Sequence, residues 1–306
     1  MKLVRYGAKG KEKPGLIDKE GRLRDLSGVV PDITSAQLSS AALAKLAKIK
    51  TSTLPLVKGK PRYGVPLADV GKFLAIGLNY SDHAAEAGMP CPKEPIIFFK
   101  ADTSLSGPND PVMLPKGSKK SDWEVELGVV IGKKARYVTK KDALKHVAGY
   151  CLINDVSERE YQLERGGTWD KGKGCDTFGP VGPWLVTADE IKDPQKMQVT
   201  LKVNGIVKQN FNTDDMAHKI PRCIEWVSHI HDLEPGDIIA TGTNHRGLSS
   251  FQDGDKIELE CEGMGRLAIN VKDDLKRTWA RETRLERTEK GHEGLTPQLT
   301  GKYAKA

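Results

Sequence analysis

Two glutamates near the middle of the chain have the spacing of side chains that act together. Glu124 and Glu126 stand two residues apart and are followed by an apolar run at 127–131. In a β-strand, residues at this spacing point to the same face. The pair could lie on the wet face of an antiparallel strand, but the apolar run favours a strand that is entering the core. Two like charges buried side by side need a cation or a proton between them.

A third acid, Asp155, ends the apolar run that begins at Gly149, where a buried strand would lead into a helix. Three carboxylates with no matching set of His or Cys favour a hard cation that prefers oxygen ligands, such as Mg²⁺ or Mn²⁺. A helix N-cap is the alternative role for Asp155, and the two roles are compatible. Glu124, Glu126 and Asp155 are therefore candidate metal ligands.

Arg159 and Gln162 follow Asp155 at i+4 and i+7, so a helix would place all three on one face. A guanidinium and an amide beside a metal suit the carboxylate and the oxo group of a substrate. The alternative is an exposed Asp–Arg pair of small energetic consequence. The spacing alone leaves both interpretations open.

His83 and Glu86 stand three residues apart in a segment where Ser81 could open a short helix. At i, i+3 the carboxylate could orient the imidazole and raise its basicity, which is the outline of a general base. Most isolated histidines have structural or solvent roles, so the pair gains meaning only beside the acids.

Two glycine-containing loops complete the candidate residues. Residues 169–180 carry Lys173 on a Gly-rich backbone that lacks the spacing of a nucleotide-binding P-loop. Such a lysine could stabilise a developing enolate, or it could simply face solvent. Residues 241–247, with Thr243, offer hydroxyls and amides that could hold a carboxylate, or they form the exit of a hairpin.

The composition narrows the classes of function. The 306 residues carry a formal net charge of +7, but the cations are scattered among acids rather than arranged as the basic stripe of a nucleic-acid groove. Five cysteines without CxxC or zinc-like spacing indicate a reduced compartment. No apolar segment has the length of a signal core or a membrane span, so we expect a cytoplasmic protein that binds neither nucleic acid nor membranes.

The pattern of apolar runs predicts an α+β, mainly β fold in three regions. Residues 1–66 are predicted to form a small α+β cap domain, residues 70–275 a catalytic β domain, and residues 276–306 a charged C-terminal extension on the surface or around a partner. The strands predicted for the middle region are 73–77, 96–100, 125–131, 149–153, 198–203, 237–240, 256–261 and 267–271.

Taken in order, these segments resemble the fumarylacetoacetate hydrolase family across most of residues 70–271. The N-terminal segment also looks like the cap of longer bacterial members, some of which act on 2,4-diketo-3-deoxy sugar acids. The matching pieces are Gly77-x-Asn79-Tyr80-x-x-His83-x-x-Glu86, Pro95-Ile-Ile-Phe-Phe-Lys100, Glu124-Val-Glu126-Leu, Asn154-Asp155-Val-Ser-x-Arg159, Lys173-Gly-Cys-Asp-Thr-Phe-Gly-Pro180 and Thr241-Gly-Thr243.

This resemblance implies a mixed β-sandwich or β-roll catalytic domain that forms a homodimer and binds Mg²⁺ or Mn²⁺. The site residues that it implies are the metal ligands Glu124, Glu126 and Asp155, the water-activating dyad His83 and Glu86, the enolate-stabilising Lys173 and Gln162, and the substrate contacts Tyr80, Arg159 and Thr243.

One departure from the family pattern concerns specificity. Many relatives have a proline soon after the Thr-Gly-Thr segment, whereas this chain continues as Asn244-His245-Arg246-Gly247. We hypothesise that His245 or Arg246 contacts a polar or anionic tail of the substrate.

The expected reaction is hydrolysis of an acylpyruvate, a small anionic 2,4-diketo acid, to pyruvate and a carboxylic acid. Water activated by His83 would attack the C4 carbonyl, and the C3–C4 bond would break. Decarboxylation of a 2-oxo acid and isomerisation of a hydroxymuconate-type acid would use the same enolate chemistry. A catalytically silent metabolite-binding protein is the alternative from another class, although binding alone needs no base such as His83.

Overall fold

The computed structural model describes residues 1–245, 249–292 and 297–301. Its strands are β1 (Lys2–Tyr6), β2 (Lys13–Ile17), β3 (Leu23–Asp25), β4 (Phe73–Gly77), β5 (Ile96–Phe99), β6 (Leu105–Ser106), β7 (Val112–Met113), β8 (Ser121–Asp122), β9 (Val125–Ile131), β10 (Val147–Asn154), β11 (Ser157–Glu158), β12 (Gly179–Thr187), β13 (Gln198–Val203), β14 (Ile206–Asn212), β15 (Ile238–Ala240), β16 (Lys256–Cys261), β17 (Gly265–Lys272), β18 (Thr278–Trp279) and β19 (Gln298–Thr300). The α-helices are α1 (Ser40–Ala47), α2 (Ser81–Glu86), α3 (Lys140–Ala143), α4 (Arg159–Leu163), α5 (Asp170–Lys173), α6 (Ile220–Ile230) and α7 (Arg284–Glu289). The prediction of an α+β, mainly β fold is confirmed.

Two large sheets form the body of the protein. The larger has the order β3-β2-β1-β12-β10-β9-β15-β4-β5, with β6 paired to β12, and most of its neighbours are antiparallel. The smaller has the order β14-β13-β16-β17-β7. A continuous apolar core contains side chains of both sheets and of α6, so the sheets pack face to face.

Strand β9 shows how the alternation of side chains assigns residues to faces. Val125, Leu127 and Val129 belong to the core between the sheets, whereas Val130 belongs to a second core on the other face of the large sheet. Glu126 shares the face of Val130 because strand side chains alternate with a period of two. The N-terminal region covers this second face with Leu3, Leu26, Ile33 and other apolar side chains.

The N-terminal region extends the large sheet. Strand β1 pairs antiparallel with β12, β2 pairs with β1, and β3 pairs with β2. These three strands therefore belong to the same sheet as the strands of the predicted catalytic domain. The region also contains α1, in agreement with the small α+β segment expected there. The domain limits at residues 66 and 70 remain predictions.

Two strands of seven or more residues, β12 and β14, were missed by the sequence patterns. Strand β12 contains Pro180 and Pro183, and prolines normally indicate an edge strand or a loop. It nevertheless lies between β1 and β10, and its pairing with β10 shifts register between Tyr150 and Leu152. An irregular ladder of this kind tolerates residues that lack a backbone donor. The other missed strand, β14, has mostly polar side chains.

The C-terminal region docks on the body of the protein over part of its length. The Arg277 guanidinium is buried and donates to Asp273 and to the carbonyls of Pro115 and Ser118. Trp279 is buried, and its carbonyl accepts a hydrogen bond from Gln252. The expectation of a charged surface extension therefore misses an anchored segment, because its few buried residues are too widely spaced to form a periodic pattern.

Candidate active site

A cavity of about 620 Å³ opens at one end of the large sheet. Its walls come from the ends of β4 and β9, the residue after β10, the segment after β15, and the helices α2, α4, α5 and α7. Most of the predicted site residues line it, although they come from distant parts of the sequence. The predicted site residues that line the cavity are His83, Glu86, Glu124, Glu126, Asp155, Arg159, Gln162, Lys173, Thr243 and His245.

Three buried carboxylates form a cluster at the inner end of this cavity. Glu124, Glu126 and Asp155 each offer an oxygen, and these oxygens lie within 4.8 Å of one another. Strands β9 and β10 pair antiparallel, and the Asp155 N–H continues this ladder by donating to the Glu124 carbonyl at 2.8 Å. The strand period puts Glu124 and Glu126 on one face, and the pairing brings Asp155 beside them.

The surroundings shift the pKa values of two carboxyl groups in this cluster in opposite directions. Burial, followed by the charges of Asp155 and Glu124, raises the pKa of Glu126 well above its ordinary value. Burial would also raise the pKa of Glu124, but Lys173 and Arg159 beside it hold that pKa well below its ordinary value. The Glu126 carboxylate accepts one backbone hydrogen bond, from the Gly242 N–H at 2.6 Å.

Two buried lysines contact the acids from the other side. Lys173 Nζ lies 2.5 Å from Glu124 Oε2 and 2.8 Å from Asp155 Oδ2. Lys100 Nζ lies 2.5 Å from Asp155 Oδ1 and also donates to the Lys173 carbonyl. Burial alone would lower the pKa of Lys173, but the charges of Asp155 and Glu124 raise it, so this lysine is held in its charged form.

Arg159 contacts two acids at the head of helix α4. Its guanidinium contacts Asp122 at 2.8 Å and Glu124 at 2.6 Å. Its Nη1 donates to Gln162 Oε1 at 3.0 Å, so the predicted pair faces the cavity together. The alternative of an exposed Asp155–Arg159 pair is wrong, because both residues are buried and the acid that pairs with Arg159 at this point is Asp122.

The N-cap interpretation of Asp155 is also wrong. Strand β11 separates Asp155 from helix α4, and Glu158 is the N-cap that accepts from the Glu160 N–H. The same strand pairs with β8, which brings Asp122 opposite Ser157 and close to Arg159. Asp155 is therefore placed by the end of β10 and not by a helix.

His83 faces the cavity from helix α2 with a defined tautomer. Its Nδ1 lies 3.2 Å from the Thr243 carbonyl, which can only accept, so Nδ1 carries the proton and Nε2 is left as the basic nitrogen. Burial lowers the pKa of His83 despite the opposing charges of Glu124 and Glu86. The imidazole is thus neutral at neutral pH and can accept a proton. Helix α2 places Glu86 on the same cavity wall.

Thr243 supports the site through its backbone and its hydroxyl. The hydroxyl donates to the Val125 carbonyl at 2.6 Å and accepts from Gln209 Nε2 at 3.0 Å. Its carbonyl orients His83, as described above. The geometry gives Thr243 a positioning role, whereas the resemblance implied a substrate contact.

Two other predicted substrate contacts occupy different places from those expected. Tyr80 does not line the cavity: it is buried in the core, where its ring meets Phe211 edge to face at a centroid distance of 5.0 Å. His245 does line the cavity, but its Nε2 lies 2.7 Å from Glu124 Oε1, beside the acid cluster. Arg246 lies outside the described residues.

Several residues that line the cavity or contact its charged groups were missed by the sequence patterns. Asp122 continues the even-numbered face of Glu124 and Glu126, so the same spacing rule could have included it. Lys100 stood in a matching motif but received no role. Arg284, Leu285 and Thr288 of α7 line the cavity, and no local pattern links them to the acids.

The donor set fits a hard divalent cation. Among the residues that the structure describes, this cluster of three carboxylates is buried and contains no His or Cys ligand. Carboxylate oxygens suit Mg²⁺ or Mn²⁺, and such an ion would offset the burial and the neighbouring negative charges that raise the pKa of Glu126. Glu124, Glu126 and Asp155 are thus suited to hold the ion.

Sequence comparison agrees with this architecture. A family model described as "Fumarylacetoacetate (FAA) hydrolase C-terminal" matches residues 72–272. The chain belongs to the fumarylacetoacetate hydrolase family. The match covers the strands and loops that carry the three carboxylates, and it ends before helix α7.

Relatives and solved structures of the fumarylacetoacetate hydrolase family extend over most of the chain. A Burkholderia lata protein named "Putative hydrolase" is 53% identical over 280 residues, covering 89% of this chain and 99% of the relative. The structure of maleylpyruvate hydrolase from Sphingobium sp. SYK-6 in complex with manganese(II) ion and pyruvate is 29% identical with a TM-score of 0.76, covering 89% of this chain and 99% of that chain. A 5-carboxymethyl-2-hydroxymuconate delta-isomerase structure from Mycobacterium smegmatis is 32% identical with a TM-score of 0.71, covering 90% and 99%.

These findings make the chain an enzyme with the fold shared by family hydrolases and isomerases. Within the described residues, every helix is too short or too polar to cross a membrane.

Proposed function

We propose that this enzyme is a Mg²⁺- or Mn²⁺-dependent hydrolase that cleaves an acylpyruvate to pyruvate and a carboxylic acid. The observation that carries the proposal is one cavity that holds both the three buried carboxylates and the basic nitrogen of His83. The similar maleylpyruvate hydrolase binds manganese and pyruvate, which supports both the cation and the product.

Different residues of the cavity would bind the metal ion and the substrate. Glu124, Glu126 and Asp155 would hold the ion, which when bound supplies Lewis acidity toward the 2-oxo group of the substrate. Arg159 and Gln162 present a guanidinium and an amide to the same cavity, where they would orient the carboxylate and the oxo group.

His83 would act as the general base. Its Nε2 would take a proton from water, and the resulting hydroxide would attack the C4 carbonyl carbon of the substrate. When the C3–C4 bond breaks, C4 leaves as a carboxylic acid and the bonding electron pair stays with C3 as pyruvate enolate. The proton on His83 can then return to C3 to give pyruvate.

Lys173 would stabilise the charge that develops during cleavage. Its ammonium is buried and its pKa is raised by Asp155 and Glu124, so a fixed positive charge faces the reacting end of the cavity. A preorganised group of this kind typically contributes about 3 kcal/mol of transition-state stabilisation.

The experiment is product identification by mass spectrometry after incubation with a panel of acylpyruvates. We expect pyruvate and a carboxylic acid in equal amounts with Mg²⁺ or Mn²⁺, and none after EDTA treatment. The His83→Gln variant should lose most of its activity, while His229→Gln, which alters an exposed histidine on α6, should retain activity.

An isomerase is the second candidate, because the similar Mycobacterium smegmatis isomerase shares this fold. A product of unchanged mass from a hydroxymuconate-type acid would move the assignment to it, and CO₂ release would indicate a decarboxylase. Metal-dependent binding of these acids without turnover of any of them would favour a silent binding protein.

The homodimer and the cytoplasmic location also remain proposals. Light scattering coupled to size-exclusion chromatography would test the first, since a dimer must elute with twice the mass of the chain. Fractionation of the native cells would test the second.

A further inference from the structure

Helix α7 contributes a wall of the cavity although it lies beyond the residues matched by the family model. Arg284, Leu285 and Thr288 line the cavity together with the acid cluster and His83. Thr288 stands four residues after Arg284 and three after Leu285, and both spacings make neighbours on a helix, so the three residues occupy one side of it. Thr288 also donates its hydroxyl to the Arg284 carbonyl at 3.0 Å.

Arg284 differs from the other basic residues of its segment. Five basic residues between 276 and 292 form ion pairs with acids: Lys276 with Asp253, Arg277 with Asp273, Arg281 with Asp255, and both Arg287 and Lys290 with Glu282. Within the described part of the chain, no acid forms an ion pair with the Arg284 guanidinium. Its charge is therefore available to a ligand in the cavity that it lines.

The helix is held at the cavity by its anchored neighbours. Arg281 makes a two-pronged contact with Asp255, at 2.9 and 2.7 Å, three residues before Arg284. Thr283 and Glu286 form a capping box that fixes the start of the helix. A side chain carried on a fixed helix loses less freedom on binding a ligand than one on a loose tail.

The charges at the inner end account for only one substrate carboxylate. When all are ionised, four acids there (Asp122, Glu124, Glu126 and Asp155) contact or neighbour three bases (Lys100, Arg159 and Lys173), so the negative charges exceed the positive ones by one. A divalent cation would leave one positive charge, which the carboxylate beside the 2-oxo group would balance. A second carboxylate on the substrate would need another cation.

The mouth of the cavity is partly apolar. Leu163 of α4, Leu285 of α7 and Met89 after α2 line the cavity and are exposed. Apolar side chains of this kind suit a short hydrocarbon segment.

We propose that Arg284 binds the far carboxylate of a dicarboxylic substrate, so that the enzyme acts on 2-oxo acids with a second acid group at the other end of a short carbon chain. The inference rests on the proposed function for the inner end of the site. It replaces His245 as the contact for an anionic tail, since His245 lies against Glu124.

The test compares two unreactive 2-oxo acids of equal length by calorimetry with the Mn²⁺-loaded protein. 2-Oxohexanedioate ends in a carboxylate and 2-oxohexanoate in a methyl group. Wild type should bind the diacid at least about tenfold more tightly, because a charge-assisted hydrogen bond is typically worth a factor of about 10 to 100. Arg284→Gln should reduce this affinity ratio by about tenfold or more, and Arg284→Lys should keep part of it.

Lys290→Gln is the matched control. It removes the same charge from the same segment, at a side chain that pairs with Glu282 outside the cavity, so the affinity ratio should stay at its wild-type value. Equal binding of the two acids by wild type, an unchanged ratio in Arg284→Gln, or no binding of the diacid would each overturn the assignment.

The binding assay also separates this inference from the proposed reaction. Because it needs no turnover, a diacid preference that depends on Arg284 would survive a failure to cleave any acylpyruvate. Cleavage of acylpyruvates without a preference for binding the diacid would contradict only the role proposed for Arg284.

Discussion

The two ends of the cavity are built in different ways. At the inner end, Glu124, Glu126 and Asp155 are buried and lie at or next to the paired strands β9 and β10. At the mouth, Leu163 and Leu285 are exposed and lie on helices of five and six residues. A strand within a sheet is held by hydrogen bonds on both sides, whereas a short helix depends on its packing. The carboxylates proposed to hold the metal ion thus lie at paired strands, whereas the side chains proposed to contact the substrate tail lie on short helices.

The largest expected effect comes from removing a carboxylate at the inner end. Asp155→Asn should lower the affinity for Mn²⁺ by more than about 100-fold, because even supporting groups of a metal site typically contribute factors of 10 to 100. Electron paramagnetic resonance of free Mn²⁺ would measure the affinity. Asp142→Asn, at a half-buried acid on α3 away from the cavity, is the control and should bind Mn²⁺ as wild type does. Wild-type affinity in Asp155→Asn would mean that the ion binds elsewhere.

Loss of the general base should have the next largest effect. His83→Gln keeps a polar side chain on α2 but removes the basic Nε2, so kcat should fall about 10²- to 10⁴-fold. Steady-state kinetics would measure the decrease, with Mn²⁺ affinity as a control that should change little. A variant with wild-type kcat would remove His83 from the mechanism.

The pH dependence should sharpen the role of His83. Burial lowers the pKa of this imidazole below 6.5, so the neutral, proton-accepting form persists at neutral pH and is lost only on acidification below that value. The rate of wild type should therefore be constant near pH 7 and fall at more acidic pH. The residual rate of His83→Gln should lack this decrease, and a decrease that persists would belong to another group.

A smaller effect, on stability, is expected at the turn that supports Glu126. Gly242 has a φ of +92°, and a Cβ there would lie 2.8 Å from Asn79 Cβ and 3.0 Å from the Ile76 carbonyl oxygen. Gly242→Ala should lower the free energy of unfolding by about 2 to 3 kcal/mol through strain and crowding. Gly254→Ala is the control, because Gly254 has a φ of +82° with no atom near the added Cβ. Equal losses in urea unfolding would mean that crowding at Gly242 contributes nothing.

The smallest effect is expected at the mouth. Leu163→Ser removes apolar surface from a side chain that is 58% exposed, so KM for substrates with an apolar segment should rise only about two- to fivefold. Leu299→Ser matches it in exposure, at 58%, and lies away from the cavity, so it should leave KM unchanged. A large decrease in kcat for Leu163→Ser would contradict the division of roles between the two ends.

Local sequence patterns predicted much of the inner end. Strands β4, β9, β13 and β16 begin and end where the apolar runs predicted, since each run alternates or is continuously apolar. The common face of Glu124 and Glu126 follows from the strand period, and the placement of His83 and Glu86 follows from a helical turn.

Other features could not be predicted from a local sequence pattern. The two prolines of β12 concealed a central strand, and Tyr80 was assigned to the substrate although it belongs to the core. Asp122, rather than Asp155, is the acid that Arg159 contacts, because the pairing of β8 with β11 decides it.

The sequence by itself determined the chemical inventory of this protein: several of its long strands, the faces that they present, and a set of carboxylates, a histidine and a lysine suited to enolate chemistry. Only the tertiary structure decided that Lys100 joins Lys173 against the acids, and that Arg284 reaches the same cavity from a segment more than a hundred residues away in sequence. The physical reason is that a sequence pattern reports only on residues that are close together in the chain. Periodicity records which side of an element is buried, whereas the meeting of distant elements depends on strand pairing and packing that no local run encodes.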